Sequence, residues 1–600
     1  MRLCELLHRC RNLQVSQKLD FLHSERHQLN SNLLQREPLN FKHYLHRAAI
    51  HYGLGYSDLA AGDAYKALTL LETYFDPDFS DFHPELRDGA GEVVSWPRDD
   101  QAINDARAEL AECFRCLVLA LIDLRCLRDA YSYLLQLEKL VEEGHVLANH
   151  ECQELRDLIS RANYSRSMKT QMNGQSSEKK IELARLRNSG FARREIYKWN
   201  NHEPERSSLA TRNALNKMLD PIAPHLEIRN VELPVLQSSA ATDCVHSQNK
   251  TNGSPARSSQ QDRSARSLQL GVFAKTDLPA SSEILHEPSV LTAVRPLDAS
   301  LCHNCGVPIP QPSSTTSDCL DGPVCCPSCT DAAVFCSLAC LDIAQTKYHS
   351  TACGNDFIDP LGRDETSTNP SEDLYFLLLA RAFSMSHSQN THPLELPETK
   401  YLCGVFTTPS PSECSTSSPS AERTLPFTFH HNIVLPFRLL SILSESHPEF
   451  SPFSPVRLEW YDTWVSQTLY AKFRGVASAR QSTWDGKPEV AAVHPFWCLA
   501  NHSCSPNVEW GWDAGRERVF RVRARPVPWG KGQDVAEDGN GEDGNDVKGT
   551  WHGVRAGEEI LTHYCDIDLP VKERREYMLG SLGGECICER CVWEAEQEHC

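Results

Sequence analysis

Cysteine spacing constrains this chain more than any other feature. Cys302-x2-Cys305, Cys326-x2-Cys329, Cys336-x3-Cys340 and His349-x3-Cys353 follow one another between residues 302 and 353. Seven cysteines and one histidine supply eight ligands, enough for two tetrahedral zinc ions. Zinc suits thiolate and imidazole donors without bringing redox chemistry. So short a segment has little core of its own, so metal binding is expected to supply its folding energy. The bland alternative, buried thiols without metal, fits this density and regularity poorly. Cys325 also neighbours the second pair, but only Cys326 gives the x2 spacing, and Cys319 has no partner at ligand spacing. A further run, Cys586, Cys588 and Cys591, offers three ligands where a structural site needs four.

The rest of the composition bounds the setting. The chain has 600 residues, too many for one core, so two or three domains are expected. Met1 to Cys10 mixes leucines with Arg, Glu and His, unlike a signal peptide, and no apolar run reaches membrane-spanning length. An intracellular setting, nucleus and/or cytoplasm, is therefore expected, with no membrane partner. There the 25 cysteines read as metal ligands and free thiols, not as disulfides. A net charge of −20 argues against gripping a phosphate backbone, so sequence-specific nucleic-acid binding is not expected.

Residues 1–40 form an N-terminal segment, and 41–163 read as helices. Gly55, Ala60, Ala64 and Ala67 are spaced as in the second half of a tetratricopeptide unit. Leu117, Leu121 and Leu124 recur at helical spacing, as do Ala130, Leu134 and Leu137. An unrelated helical bundle is the other reading of the same pattern. The polar run 164–180 lies in a linker, 164–189. Ser238 to Arg266 forms a polar insertion between two strands, Val231–Leu236 and Leu268–Ala274. Residues 407–423 and the acidic stretch 531–549 read as solvated loops. Lys572 to Arg575 reads as a solvated helix face.

Asn501-His502-Ser503-Cys504-Ser505-Pro506-Asn507, then Gly557-Glu558-Glu559-Ile560, Tyr564 and the terminal cysteines stand in the order of a SET domain of protein-lysine methyltransferases, which they resemble. Residues 302–353, with Phe335 before Cys336 and the Tyr348-His349 step, resemble a MYND zinc finger. A finger placed inside a SET domain is similar to the SET-and-MYND (SMYD-like) methyltransferases. Segment 458–510 is most similar to fungal members, here with N-terminal helical repeats. The resemblance implies a multidomain α+β chain: a β-rich SET domain interrupted by a MYND finger, plus an N-terminal α-helical repeat-like domain. Its parts would be a first SET portion at 190–301, the finger at 302–353, and an intervening helical segment at 354–490. A catalytic portion at 491–570 and a zinc tail at 571–600 would follow.

The resemblance also implies three zinc ions. Cys302, Cys305, Cys336 and Cys340 would hold one; Cys326, Cys329, His349 and Cys353 a second; Cys504 would complete the third with Cys586, Cys588 and Cys591. It implies S-adenosylmethionine as cofactor, held by Asn501 and His502 and approached closely by the backbone at Gly271. Tyr564 would be the catalytic residue, its hydroxyl placed near the transferring methyl to orient a lysine ε-amine of a histone or non-histone substrate. Gly557-Glu558-Glu559 reads as a turn and not as an acid pair. The chain departs from the pattern at Gln269, where relatives often carry a first glycine, and at Gly583-Gly584-Glu585, where they carry an aromatic that Trp593 would replace. Relatives commonly carry a helical domain after the cluster, a part the N-terminal helices would take here. These departures keep a second expectation open: a catalytically weak or inactive scaffold whose finger and helices bind proline-containing or tail peptides.

Overall fold

Helix boundaries follow from capping residues. Asn40 accepts from the Lys42 amide at 3.1 Å and opens helix Phe41–Leu54, which Gly55 closes at a φ of 82°. Ser208, Ser337 and Asp462 likewise cap the helices Leu209–Leu219, Leu338–Ala344 and Thr463–Val476 through their own oxygens. The structure is a computed structural model. It describes residues 14–76, 86, 100–144, 149–164, 185–193, 195–234, 266–289, 291–295, 301–309, 322–329, 333–354, 361–362, 370–403, 424–483, 485–513, 517–530, 551–582 and 584–597. Apart from their end residues, the polar tracts read at 164–180, 238–266, 407–423 and 531–549 lie outside the described residues. Cys319 does too.

The architecture is α+β. Helices Phe41–Leu54, Ser57–Phe75, Asp100–Asp123, Leu127–Glu142 and Asn149–Tyr164 each pack on the next. Ala60, Ala64, Ala67 and Ala130 are fully buried, which is what close helix crossings need. Helix Val15–Gln28 packs against Phe41–Leu54, so helical structure begins ahead of residue 41. Sequential packing of this kind is common to repeats and to plain bundles.

These helices share one apolar core with the 302–353 segment and with helices Pro370–Ser388, Leu435–Ser446 and Thr463–Val476. A buried ionic network crosses the same contact. Arg47 Nε donates to Asp63 at 2.9 Å, and Arg47 and Lys66 donate to Asp462 at 3.1 and 2.9 Å. Breaking such a pair by removing one partner costs roughly 3–5 kcal/mol.

The sheets are small. Leu226–Pro234 pairs antiparallel with Arg266–Ala274, register Leu226↔Ala274 to Pro234↔Arg266. Val508–Asp513, Glu517–Val522 and Glu283–Pro288 form a three-stranded sheet, and Ser478–Gln481, Pro488–Val493 and Leu291–Val294 another. Gly190–Arg193 pairs with Thr424–Phe427. Asn501–His502 pairs parallel with Leu561–Thr562. The first two of these sheets enclose a second core around Leu270, Val272, Leu285, Phe520 and Ile560. A third, smaller core gathers Cys504, Cys565, Met578, Cys586 and Cys591. Among the described residues, no helix is long and apolar enough to cross a membrane.

Candidate active site and metal centres

Three clusters bring ligand atoms to within 4.8 Å of one another: Cys302, Cys305, Cys336 and Cys340; Cys326, Cys329, His349 and Cys353; and Cys504, Cys586, Cys588 and Cys591. A tetrahedral zinc with Zn–S of ~2.3 Å sets a sulfur–sulfur edge of about 3.8 Å. Cys305–Cys336 and Cys336–Cys340 stand 3.8 and 3.5 Å apart, and Cys326–Cys353 and Cys329–Cys353 stand 3.7 and 3.5 Å apart. His349 Nε2 is 3.3 Å from Cys329 Sγ. A disulfide would need about 2.05 Å, so these separations suit the edges of a metal tetrahedron. Every described cysteine is a free thiol. The donor sets therefore fit metal ions of the zinc type. Cys326 joins its cluster while Cys325 is exposed.

Local structure explains the clustering. The Cys302 amide donates to the Val307 carbonyl and Gly306 donates back to Cys302, each at 2.8 Å, a tight turn presenting both thiols. Gly306 sits at φ 71°, where a β-carbon would meet Val490 at 2.8 Å. The pair Val324–Cys325 and Val334–Phe335 forms a short hairpin that brings the second and third ligand pairs together. A π-helical turn, Gln345–His349, then presents His349. Arg381 stacks 3.6 Å over Tyr348 and donates to the His303 carbonyl at 2.7 Å, tying this segment to helix Pro370–Ser388.

The C-terminal cluster has a cationic surround. Helix Val571–Leu582 exposes Lys572 and Glu573, as a solvated face would, yet it buries Arg574 to 1% exposure. Arg574 lies 3.6 Å from Cys591 Sγ and pairs with Glu594. Arg575 donates to the carbonyls of Cys586 and Cys591, each at 3.2 Å, and Arg590 donates to that of Cys504 at 2.9 Å. Four thiolates around a divalent ion carry net negative charge. Nearby guanidinium groups offset it, which explains a cation at so apolar a position.

Beside this cluster the chain crosses itself. Gly557 donates to the Ala274 carbonyl, Ala274 to that of Glu558, and Ile560 to that of Val272, at 2.7–2.9 Å. Asn507 pins the same segment: its amide donates to the Glu559 carbonyl at 2.7 Å and accepts from the Leu561 amide at 2.8 Å. Gly271, Asn501 and Glu559 meet at this crossing. A β-carbon on Gly271 would stand 2.6 Å from Glu559 Oε1 and 3.1 Å from Asn501 Nδ2. Asn501 Nδ2 donates to Glu559 Oε1 at 2.6 Å and to the Leu270 carbonyl at 3.2 Å, which leaves Oδ1 as an acceptor. Burial raises the Glu559 pKa, and the Asn501 bond opposes the rise.

His502 links this crossing to the cysteines. The Tyr564 amide donates to Nδ1 at 3.1 Å, which places the imidazole proton on Nε2, 3.3 Å from Cys504 Sγ. Burial pushes the His502 pKa down to about 4. Both ring nitrogens are thus engaged within the protein, so His502 offers a ligand its main chain. Tyr564 packs against His502 with ring centroids 5.2 Å apart, and its hydroxyl donates to the Ala500 carbonyl at 2.8 Å. Burial holds its pKa above the ordinary tyrosine value, so the phenol stays neutral with oxygen lone pairs free to accept. Trp593 packs edge-to-face on Trp529, whose indole donates to Ser505 at 3.0 Å.

Two residues escaped the sequence reading. Glu287 is buried, and its carboxylate accepts the amides of Phe496 and Trp497 at 2.9 and 2.7 Å, holding the turn that leads into Asn501. Burial raises its pKa to about 7 against those two bonds and the charge of Arg518. The guanidinium of Arg518 lies between Trp497, Trp510 and Trp512, 4.4–4.6 Å from each ring. The available signal was a glutamate at an inward position of Glu283–Pro288. Glu559 was read as part of a turn; it is also Asn501's partner. No protein-family model matches the chain.

Proposed function

We propose that this chain is an S-adenosylmethionine-dependent protein-lysine methyltransferase, with a SET domain interrupted by a MYND-type finger and closed by a zinc tail. The observation that carries the reading is the parallel pairing of Asn501–His502 with Leu561–Thr562. It sets Tyr564 against His502, two residues from a thiol of the terminal cluster. The glycine at 271 fits the reading as well, since any side chain there would collide with Asn501 and its partner.

The residues' chemistry suits the task. S-adenosylmethionine, when bound, supplies an electrophilic methyl on a sulfonium. Asn501 Oδ1, its amide donors already spent, accepts from an ammonium group such as that of the methionine portion. Lysine must attack as the neutral amine, although its free pKa is ~10.4. Apolar surroundings disfavour the ammonium form, so no dedicated base is required. Tyr564 donates to Ala500, so its oxygen accepts an N–H of the amine and turns the nitrogen lone pair toward the methyl. Alignment of this kind supplies much of the rate. The terminal zinc would hold the tail against Cys504 and, through His502, against Tyr564.

Calorimetric titration of zinc-replete protein with S-adenosylmethionine and its demethylated product tests the reading. Binding that Asn501→Ala abolishes supports it. No binding by folded, zinc-replete protein replaces it with a peptide-binding scaffold.

A further inference from the structure

A fourth group of ligand atoms lies apart from the cysteines. His387, in the last turn of helix Pro370–Ser388, meets His447, which follows helix Leu435–Ser446, and Glu449 in the turn Pro448–Phe450. Their donor atoms all lie within 4.8 Å of one another. We propose that His387, His447 and Glu449 bind a divalent first-row transition metal of the zinc class, with water completing the coordination.

The orientation of the rings supports this. The Thr351 hydroxyl donates to the Ser384 carbonyl at 3.3 Å and lies 3.1 Å from His387 Nδ1. With that proton donated to Ser384, or to Ser388 Oγ at 2.7 Å, Thr351 accepts from Nδ1–H, the tautomer that leaves the His387 lone pair on Nε2. That nitrogen is 2.7 Å from Glu449 Oε1. In that tautomer a cation held between them would satisfy both acceptors. The Thr351 main chain bonds the second imidazole, His447, whose ring centroid is 4.3 Å from that of His387. One residue thus orients both histidines, the arrangement that outer partners of metal-binding histidines adopt. Two histidines and one carboxylate match borderline metals with open coordination positions. His387 and Glu449 keep 17% and 31% of their side-chain surface exposed, so water reaches the site.

Position suggests what the metal does. Thr351 lies between His349 and Cys353, two ligands of the second cysteine-rich cluster. Occupancy would therefore clamp the end of that segment onto helices Pro370–Ser388 and Leu435–Ser446. The site does not depend on the methyltransferase reading.

The test adds Co2+ to full-length, zinc-replete protein, then measures bound cobalt, released zinc and the visible spectrum. One cobalt per chain should be taken up without zinc release and without a thiolate charge-transfer band. Glu449→Gln and His447→Gln should each weaken that uptake tenfold or more while zinc content and circular dichroism stay unchanged. Thr351→Val should weaken it by about 10–100-fold, the usual effect of losing an outer partner. No extra uptake would overturn the proposal. So would uptake matched by zinc release with a thiolate band, or uptake equal in wild type and both ligand variants. In each of these cases the His387–Glu449 contact is a plain ion pair.

Discussion

Gly271→Ala tests whether the backbone crossing is tuned to leave Asn501 in place. The added carbon would stand 2.6 Å from Glu559 Oε1, 3.1 Å from Asn501 Nδ2 and 3.2 Å from Phe273. Ordinary contact needs about 3.5 Å, so the carboxylate must withdraw by about 0.9 Å. That movement breaks its 2.6 Å bond from Asn501. A hydrogen bond to a charged group contributes roughly 1.5–3 kcal/mol, and overpacking costs roughly 1–3 kcal/mol. The crowded atom ends a flexible, half-buried side chain, so the expected loss is about 2.5 kcal/mol, the lower end of the combined range. Thermal unfolding of zinc-replete protein measures the loss, and calorimetry should show S-adenosylmethionine affinity reduced tenfold or more. Glu559→Ala in the same background removes the clash. The double variant should then be more stable than the sum of the singles by about 1–2 kcal/mol. An alanine variant with wild-type stability and cofactor affinity refutes the argument, and so does strict additivity.

Tyr564→Phe should remove most methyl transfer while zinc content and cofactor binding stay intact, with about 1 kcal/mol of stability lost with the Ala500 bond; unchanged turnover would remove Tyr564 from the chemistry. Cys588→Ser should lower bound zinc by one ion per chain and weaken cofactor binding, read by metal analysis and calorimetry; zinc loss with untouched affinity would separate the tail from the site. Glu287 has a folded pKa raised to about 7, so between about pH 4.5 and 7 the folded state holds more protons than the unfolded state and stability falls as pH rises. The full penalty above pH 7 is about 3 kcal/mol. Thermal scans of zinc-replete wild type and Glu287→Gln should diverge across that window, and parallel pH profiles would show that the carboxyl is already ionised at low pH.

Ligand spacing was legible because it is local. Cys302-x2-Cys305 and Cys336-x3-Cys340 each place two thiols on one turn, and the structure gathers those pairs. The interleaving of pairs and the choice of Cys504 were beyond spacing, since they depend on which turns meet in space. The strands around Gly271 were legible as the segments flanking a polar tract, although the first begins at Leu226 and not Val231. Glu287 and Glu559 were not legible as site residues. A carboxylate's partners here lie 58 or more residues away in sequence. Arg574 sits in a charged run that suggests solvent, yet the sulfur cluster it faces exists only after the tail has folded back. The N-terminal helices read as a separate domain because their periodicity is self-contained. Their buried Arg47, Asp63 and Lys66 instead engage Asp462, and one core spans both regions.

The small sheets explain why metal clusters stand where they do. Two- and three-stranded sheets are marginal unless something else buries their faces. The candidate site rests on one of the shortest of them, a parallel pair two residues long between Asn501–His502 and Leu561–Thr562. Such a contact joins distant segments and gains little from its own hydrogen bonds, so it needs closure from both ends. Asn507 supplies one end by bonding both Glu559 and Leu561. The terminal cysteines supply the other, because Cys504 follows His502 by two residues while Cys586, Cys588 and Cys591 follow Tyr564 through a single helix. A metal there shortens the loop from Tyr564 back to Cys504 to one fixed span. A zinc held there would act on Tyr564 through geometry and not through charge. A metal of the same charge with a different preferred geometry should then restore folding more fully than turnover.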